Sequence, residues 1–115
     1  MSVKRIVANL EGDPDTAQNF YGELLGLEVR MDMGWIRTYG SAEDMTVQMS
    51  VMMQGGSNTP VPDLSIEVDD VDAILEKAKE MGIAIEYGPA DEPWGVRRFF
   101  VRDPFGKLVN ILMHA

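Results

Sequence analysis

The segment Asp15-Thr-Ala-Gln-Asn-Phe-Tyr-Gly-Glu-Leu-Leu-Gly-Leu-Glu-Val29 in the first half of the chain corresponds to Val71-Asp-Ala-Ile-Leu-Glu-Lys-Ala-Lys-Glu-Met-Gly-Ile-Ala-Ile85 in the second half. In both segments a helical pattern ends at a glycine, Gly26 or Gly82, and continues into an apolar strand. The offset is 56 residues, which is 82 minus 26. A repeat near half the chain length predicts a paired module that cannot bury its core by itself. Two modules packed side by side are expected to leave a cleft, and we look for function there.

Composition narrows the class of protein. The 115 residues are 45% hydrophobic and 25% charged, which is typical of one folded domain. The sequence contains no apolar run of the roughly 18 residues that a membrane span needs, so no membrane partner is expected. A net charge of −9 disfavours nucleic acid as a partner and would attract a cationic ligand, although it also serves solubility. Because the chain has no cysteine, we expect a cytoplasmic location.

Both halves predict the same order of elements, namely a strand, a helix and three further strands. Asp13 and Asp70 can accept hydrogen bonds from the free N–H groups of a first helical turn, and Pro14 suits the first helical position. The first helix is expected to carry an apolar stripe of Ala17, Phe20, Tyr21 and Leu24. Alternating or apolar runs predict strands at Val3–Glu11, Leu27–Met33, Trp35–Gly40, Met45–Met53, Asp63–Val68, Ile83–Tyr87, Val96–Arg102 and Leu108–Met113. The segment Asp103–Gly106 predicts a tight turn.

Three stretches resemble the vicinal oxygen chelate superfamily, which includes glyoxalase I, bleomycin resistance proteins and extradiol dioxygenases. They are Asn19–Val29, Ser65–Ala73 and Trp94–Ile111. The resemblance implies an α+β fold in which two βαβββ modules form a curled mixed β-sheet around a cleft, the glyoxalase/bleomycin resistance-type fold. We therefore expect a single domain, 1–115, made of a first module over 1–54, a linker over 55–60 and a second module over 61–115.

The resemblance also implies where a metal would bind. Metal-dependent members carry ligands, usually His and Glu, on the first and last strand of each module. The matching positions here are approximately Val7, Gln48, Asp63 and Asn110. Val7 has no donor atom, and Asp63 alone among the four carries a charge. First-row metals prefer imidazole or several carboxylates, so we expect no metal and no cofactor.

Without a metal, the expected cleft becomes a binding site for a small molecule. Aromatic rings and guanidinium groups suit planar or charged ligands. The predicted ligand-binding residues are Trp35, Arg37, Tyr39, Gln48, Asp63, Trp94, Arg97, Phe99 and Asn110. Trp94 is favoured because it lies in a loop beside Gly95. The alternative for Trp35, Phe99 and Phe100 is that they only fill the core or an interface.

The favoured function is metal-free binding of a cationic or aromatic, antibiotic-like small molecule, as in bleomycin resistance proteins. The alternative is a glyoxalase- or dioxygenase-type enzyme, metal-dependent or metal-free, that uses Gln48, Asp63 and Asn110. A third possibility is an interaction module with a vestigial cleft. No catalytic residue is assigned, so enzymatic activity stays open. The single histidine, His114, is the penultimate residue and is expected to have no role. A homodimer is expected under every alternative.

Overall fold

The computed structural model describes residues 2–41 and 48–115, and it confirms the α+β fold of two βαβββ modules. The elements of the first module are β1 (Val3–Glu11), α1 (Pro14–Ala17), a π-helical segment (Gln18–Leu24), β2 (Glu28–Asp32), β3 (Ile36–Gly40) and β4 (Gln48–Met52). The elements of the second are β5 (Leu64–Val68), α2 (Val71–Glu80), β6 (Tyr87–Asp91), β7 (Val96–Arg102) and β8 (Leu108–His114). Among the described residues, no helix is long and apolar enough to span a membrane.

The chain divides into two compact units, and each is described by itself. We call Val7–Val61 the first unit, and Met1–Ile6 together with Pro62–Ala115 the second unit. The start of β1 therefore belongs to the second unit, whereas the sequence led us to expect all of it in the first module. Hydrogen bonds explain this assignment. The Ser2 backbone N–H donates to the Asp69 carboxylate at 2.8 Å, and Arg5 Nε donates to Glu67 Oε1 at 2.6 Å.

The second unit contains the strand order β5-β8-β7-β6. β5 runs parallel to β8, whereas β7 is antiparallel to both of its neighbours. The Asp70 side chain caps α2 by accepting from the Ala73 backbone N–H at 3.1 Å, as the sequence predicts. The helix packs on one face of these strands, where a hydrophobic core contains Val68, Val71, Leu75, Phe99, Val101 and Val109.

The first unit contains the strand order β2-β3-β4-β1, with β1 and β4 parallel. The Asp13 side chain caps α1 as expected, and Pro14 occupies its first turn. The helix then widens into the π-helical segment, in which the Leu25 N–H donates to the Phe20 carbonyl five residues back. The expected apolar stripe is not buried, since Phe20 is 53% and Leu24 67% exposed. The wider turn does not keep the 3.6-residue period on which that expectation depended.

One strand was placed wrongly by the sequence pattern. The sequence predicts a strand over Ile83–Tyr87, whereas β6 begins at Tyr87 and ends at Asp91. Ile83 and Ile85 instead lie in an irregular segment and pack against the core of the second unit. The predicted turn at Asp103–Gly106 is present, because the Gly106 N–H donates to the Asp103 carbonyl at 3.1 Å. The predicted start of the fourth strand, residues 45–47, lies outside the described residues.

Candidate functional site

A row of side chains crosses the second unit on the face opposite α2. Strand register pairs Ser65 with Asn110, Asn110 with Phe100, and Phe100 with Tyr87. Directly paired residues point to the same face of a sheet, and successive residues alternate between faces. Phe99 lies in the core against α2. The next residue, Phe100, and the residues paired with it in the row therefore point away from the helix. The row therefore joins a polar end, Ser65 and Asn110, to an aromatic end.

Asn110 occupies an unusual position in this row. Its residue is 7% exposed, and its Nδ2 donates to Ser65 Oγ at 3.1 Å. Its Oδ1 is buried and has no hydrogen-bond partner among the described residues. A buried acceptor left unpaired costs about 1–3 kcal/mol. Such an atom is an available acceptor for a donor that the chain itself does not supply.

Beside this row, aromatic rings surround a buried ion pair. Arg98 Nη2 donates to Glu92 Oε2 at 2.9 Å, and both side chains are about 95% buried, with 4% and 5% exposed. The guanidinium carbon of Arg98 lies 5.0 Å from the Trp94 ring centroid, 5.3 Å from that of Tyr87 and 4.8 Å from that of Phe100. The Tyr87 hydroxyl also donates to Glu92 Oε1 at 2.9 Å. We call these five residues the Arg98 cluster, and it fixes the half-buried rings of Trp94 and Tyr87.

Two predicted site residues on β7 lie on the opposite face from the Arg98 cluster. Phe99 is fully buried in the core that contacts α2. Arg97 forms ion pairs with Asp72 at 3.0 Å and Asp91 at 3.2 Å, and the hydrogen bond with Asp72 is the main reason that its pKa is raised. The structure thus brings Arg98 and Phe100, rather than Arg97 and Phe99, onto the face of Asn110. The sequence contains a signal for the face of Asn110. Apolar Val109 and Ile111 flank it, so alternation places them on the core face and Asn110 on the other.

Asp63 lies at the start of the second unit's strands and is exposed. Its Oδ2 accepts from the Leu108 backbone N–H at 2.8 Å, and its own N–H donates to the Leu108 carbonyl at 2.8 Å. These bonds join the beginnings of β5 and β8. They hold the Asp63 carboxylate beside Leu108, which is two residues before Asn110 on β8. Asp63 and Asn110 are therefore near neighbours.

In the first unit, the predicted residues Arg37 and Tyr39 contact the helix. Arg37 donates to the Pro14 carbonyl at 3.0 Å and pairs with Asp15 at 2.8 Å, and the bond with Asp15 is the first cause of its raised pKa. Tyr39 is fully buried, and its hydroxyl lies 3.3 Å from Gln18 Oε1. Both side chains therefore hold the helix against β3.

The other predicted residues of the first unit lie at separate positions. Trp35 precedes β3 and is half-buried, and its carbonyl accepts from the Met53 N–H at 2.9 Å. Gln48 begins β4 and is in register with Gly40.

Register also identifies the first unit's counterpart of the polar row. Asn9 pairs with Ser50, and Ser50 pairs with Thr38, just as Ser65 pairs with Asn110 and Asn110 with Phe100. Thr38 Oγ1 and Ser50 Oγ are buried and 2.7 Å apart. The residue equivalent to Asn110 is therefore Ser50, whereas the sequence pattern had pointed to Gln48, two residues earlier.

The residues at the family's metal positions do not fit a first-row metal. Residues 2–41 and 48–115 contain no group of three or more His, Cys, Asp or Glu side chains that could hold an ion. Val7 has no donor atom, and the Asp63 carboxylate is bonded to backbone. His114 lies on β8, where its Nδ1 is 3.0 Å from Glu67 Oε2.

Comparison with known proteins gives a family match and several similar folds. The family model described as the Glyoxalase/Bleomycin resistance protein/Dioxygenase superfamily matches residues 7–111. No curated protein matches the chain. A chain from Legionella pneumophila described as an NAD-dependent benzaldehyde dehydrogenase is 18% identical, with a TM-score of 0.77 and coverage of 96% of this chain and 100% of that one.

Two further solved structures are similar over almost their whole length. A glyoxalase/bleomycin resistance protein/dioxygenase superfamily member from Vibrio splendidus 12B01 is 17% identical, with a TM-score of 0.64 and coverage of 97% and 99% of the two chains. The methylmalonyl-CoA epimerase of Streptomyces coelicolor, in complex with 2-nitronate-propionyl-CoA, is 18% identical, with a TM-score of 0.69 and coverage of 99% of each chain. At sequence identities this low, the structural similarity shows a shared fold alone.

Proposed function

The chain belongs to the Glyoxalase/Bleomycin resistance protein/Dioxygenase superfamily, and we propose that it binds a small organic molecule without a metal, on the face of the second unit that carries Asn110. The observation that carries this proposal is the buried, unpaired Oδ1 of Asn110. A ligand with an N–H or O–H donor would pair with this oxygen and recover the free energy that its isolation costs. The proposed ligand is therefore an aromatic or cationic molecule that carries a hydrogen-bond donor.

The surroundings of Asn110 support an aromatic ligand. Trp94 and Tyr87 are half-buried, so part of each ring is open to contact. The Arg98 cluster fixes both rings, and a ring that is already ordered loses less conformational entropy when a ligand stacks on it. The nearby Asp63 carboxylate and the net charge of −9 favour a cation over an anion.

Binding is favoured over catalysis by the bonds that the candidate groups already make. Asp63, the charged member of the three residues proposed for an enzyme, accepts from the Leu108 backbone N–H. Asn110 Oδ1 is an acceptor without a titratable proton. We therefore propose that Asn110 selects the ligand by its donor.

Three probes that share one ring test this proposal. Benzylamine carries a cationic donor, benzyl alcohol a neutral donor, and benzyl methyl ether no donor. We expect the two donor probes to shift the NMR signals of the Asn110 side-chain amide and the Trp94 indole N–H. We expect the ether to bind about 5-fold more weakly than the alcohol, since one hydrogen bond contributes about 1 kcal/mol.

Substitution of the acceptor completes the test. Asn110→Ala should weaken the two donor probes by about 5-fold and leave the ether unchanged. Asn19→Ala, at an exposed asparagine of the π-helical segment, is the matched control and should change none of the three. Equal binding of all probes, or shifts confined to other residues, would overturn the proposal. Tight, stoichiometric binding of Zn, Ni, Mn or Fe(II) that depends on Asn110 would instead restore the metal-dependent alternative.

A further inference from the structure

Ser65 contacts one end of the Asn110 side chain and leaves the other end open. The two residues are in register on the parallel strands β5 and β8, so they point to the same face of the sheet. Asn110 Nδ2 donates to Ser65 Oγ at 3.1 Å, whereas Oδ1 is buried and has no hydrogen-bond partner among the described residues. The donor end of this amide is therefore held by the chain, and its acceptor end is available to a ligand.

The orientation of the Asn110 amide decides which ligands the site accepts. An asparagine side chain carries its donors on Nδ2 and its acceptor on Oδ1, and half a turn of the amide exchanges the two atoms. With Oδ1 in its present position, a ligand must supply an N–H or O–H group. With Nδ2 in that position, the site would instead prefer a ligand that offers only an acceptor, such as a ketone.

A serine hydroxyl donates as well as accepts, so Ser65 could bond to the amide in either orientation. The two orientations differ in the atom that remains unpaired. In the observed orientation this atom is an oxygen. In the exchanged orientation Nδ2 would take the buried position, and its N–H groups would lack an acceptor. Buried backbone N–H groups without a partner are rarer than carbonyl oxygens without one, and the same preference favours the observed orientation of Asn110.

We propose that Ser65 is a positioning residue that sets the ligand specificity of the Asn110 site. It accepts from Nδ2, so Oδ1 faces the ligand, and a ligand that carries only acceptors is rejected. The ligand class that follows contains alcohols, amines and N–H amides, whereas ketones, ethers and esters of the same shape are excluded. This inference rests on the proposed function, because it concerns the ligand that binds at Asn110.

The orientation of the amide is measured first, and this measurement needs no ligand. NMR of the ligand-free protein should show nuclear Overhauser effects between the Nδ2 protons of Asn110 and the β-protons of Ser65. The exchanged orientation would place Oδ1 beside Ser65, and these effects would be missing. Their absence would overturn the proposal, whether or not any probe binds.

Two probes with the same carbon skeleton then test the specificity. α-Methylbenzyl alcohol carries a donor, and acetophenone carries only an acceptor. The natural chain should bind the alcohol at least about 5-fold more tightly than the ketone. Ser65→Ala removes the acceptor for Nδ2, so the amide is free to turn toward the ketone, and the affinity ratio should fall below about 2-fold. Ser65→Thr keeps a hydroxyl and should keep the natural ratio.

The control is Thr16→Ala, which removes a hydroxyl from an exposed residue of α1 and should leave the ratio unchanged. Circular dichroism verifies that each variant is folded. An unchanged ratio in folded Ser65→Ala would overturn the role of Ser65 while donor selection by Asn110 stands. A natural chain that binds the two probes equally, or binds neither, would overturn donor selection by Asn110 and with it both proposals.

Discussion

The two helices of the repeat face very different surroundings. α2 buries Val71, Leu75 and Ala78 against the strands of the second unit. Its counterpart in the first unit buries Pro14 in α1 and no residue of the π-helical segment. The same signal in sequence, a capped apolar helix that ends at glycine, therefore gives a packed core element in one unit and an exposed apolar surface in the other.

The largest expected effect comes from one substitution made in each unit. Phe99→Ala removes a fully buried ring from the core of the second unit and should lower the free energy of unfolding by about 4 kcal/mol. Phe20→Ala removes a ring that is 53% exposed and has an edge contact with Tyr21, so the loss should stay below about 1 kcal/mol. Urea unfolding measures both values. Equal losses would show that the exposed helix is packed after all.

Two ion pairs of the molecule also differ in how deeply their side chains are buried. Glu92 and Arg98 are both buried, whereas Asp15, the partner of Arg37, is 85% exposed. Glu92→Gln removes the negative charge that lies 2.9 Å from Arg98 Nη2 in this buried pair and should lower the free energy of unfolding by about 3 kcal/mol. Asp15→Asn should change it by about 0.5 kcal/mol or less. Urea unfolding measures both.

A purely structural role for the Arg98 cluster predicts the same loss of stability, so a second measurement is needed. If the cluster positions Trp94, Glu92→Gln should also move and broaden the NMR signal of the Trp94 indole N–H, while the signal of Trp35 stays in place. An unchanged Trp94 signal in a destabilised variant would contradict the positioning role.

The sequence predicts most of the fold because the local signals are strong. β1 and β7 begin and end where alternation places them, and Asp13 and Asp70 cap the helices as expected. The π-helical segment was not predictable, since apolar spacing gives the period of an α-helix and does not reveal a widened turn. β6 was misplaced because Ile83 and Ile85 are apolar enough to suggest a strand while they pack irregularly.

The candidate site was only partly predictable. The family resemblance implies Asn110 and Asp63, a loop position indicates Trp94, and the structure places all three in the second unit. The sequence did not show which face of β7 carries the candidate site. Arg97-Arg98-Phe99-Phe100 presents one arginine and one phenylalanine on each side, so composition cannot choose between the faces. A shift of one residue in a strand exchanges the two faces completely, and only the register with Asn110 decides between them.

The smallest expected effect concerns the start of β1, which belongs to the second unit rather than the first. Glu67 accepts from Arg5 at 2.6 Å and lies 3.0 Å from His114 Nδ1. Burial works to raise the pKa of Glu67, but the hydrogen bonds from His114 and Arg5 outweigh it, and the pKa lies below its ordinary value of 4.5. A carboxylate whose pKa is lower in the folded state adds stability above its unfolded pKa, and that stability is lost as the pH falls through the folded pKa.

Glu67→Gln should therefore lower the free energy of unfolding by about 1–2 kcal/mol at pH 7, and the difference from the natural chain should shrink between about pH 5 and pH 3. Glu86→Gln, which alters an exposed pair with Arg102, should change the value by less than about 0.5 kcal/mol at every pH. Urea unfolding at pH 7, 5, 4 and 3 decides this point, because a difference that stays constant with pH would mean that the charge of Glu67 does not hold β1 to the second unit.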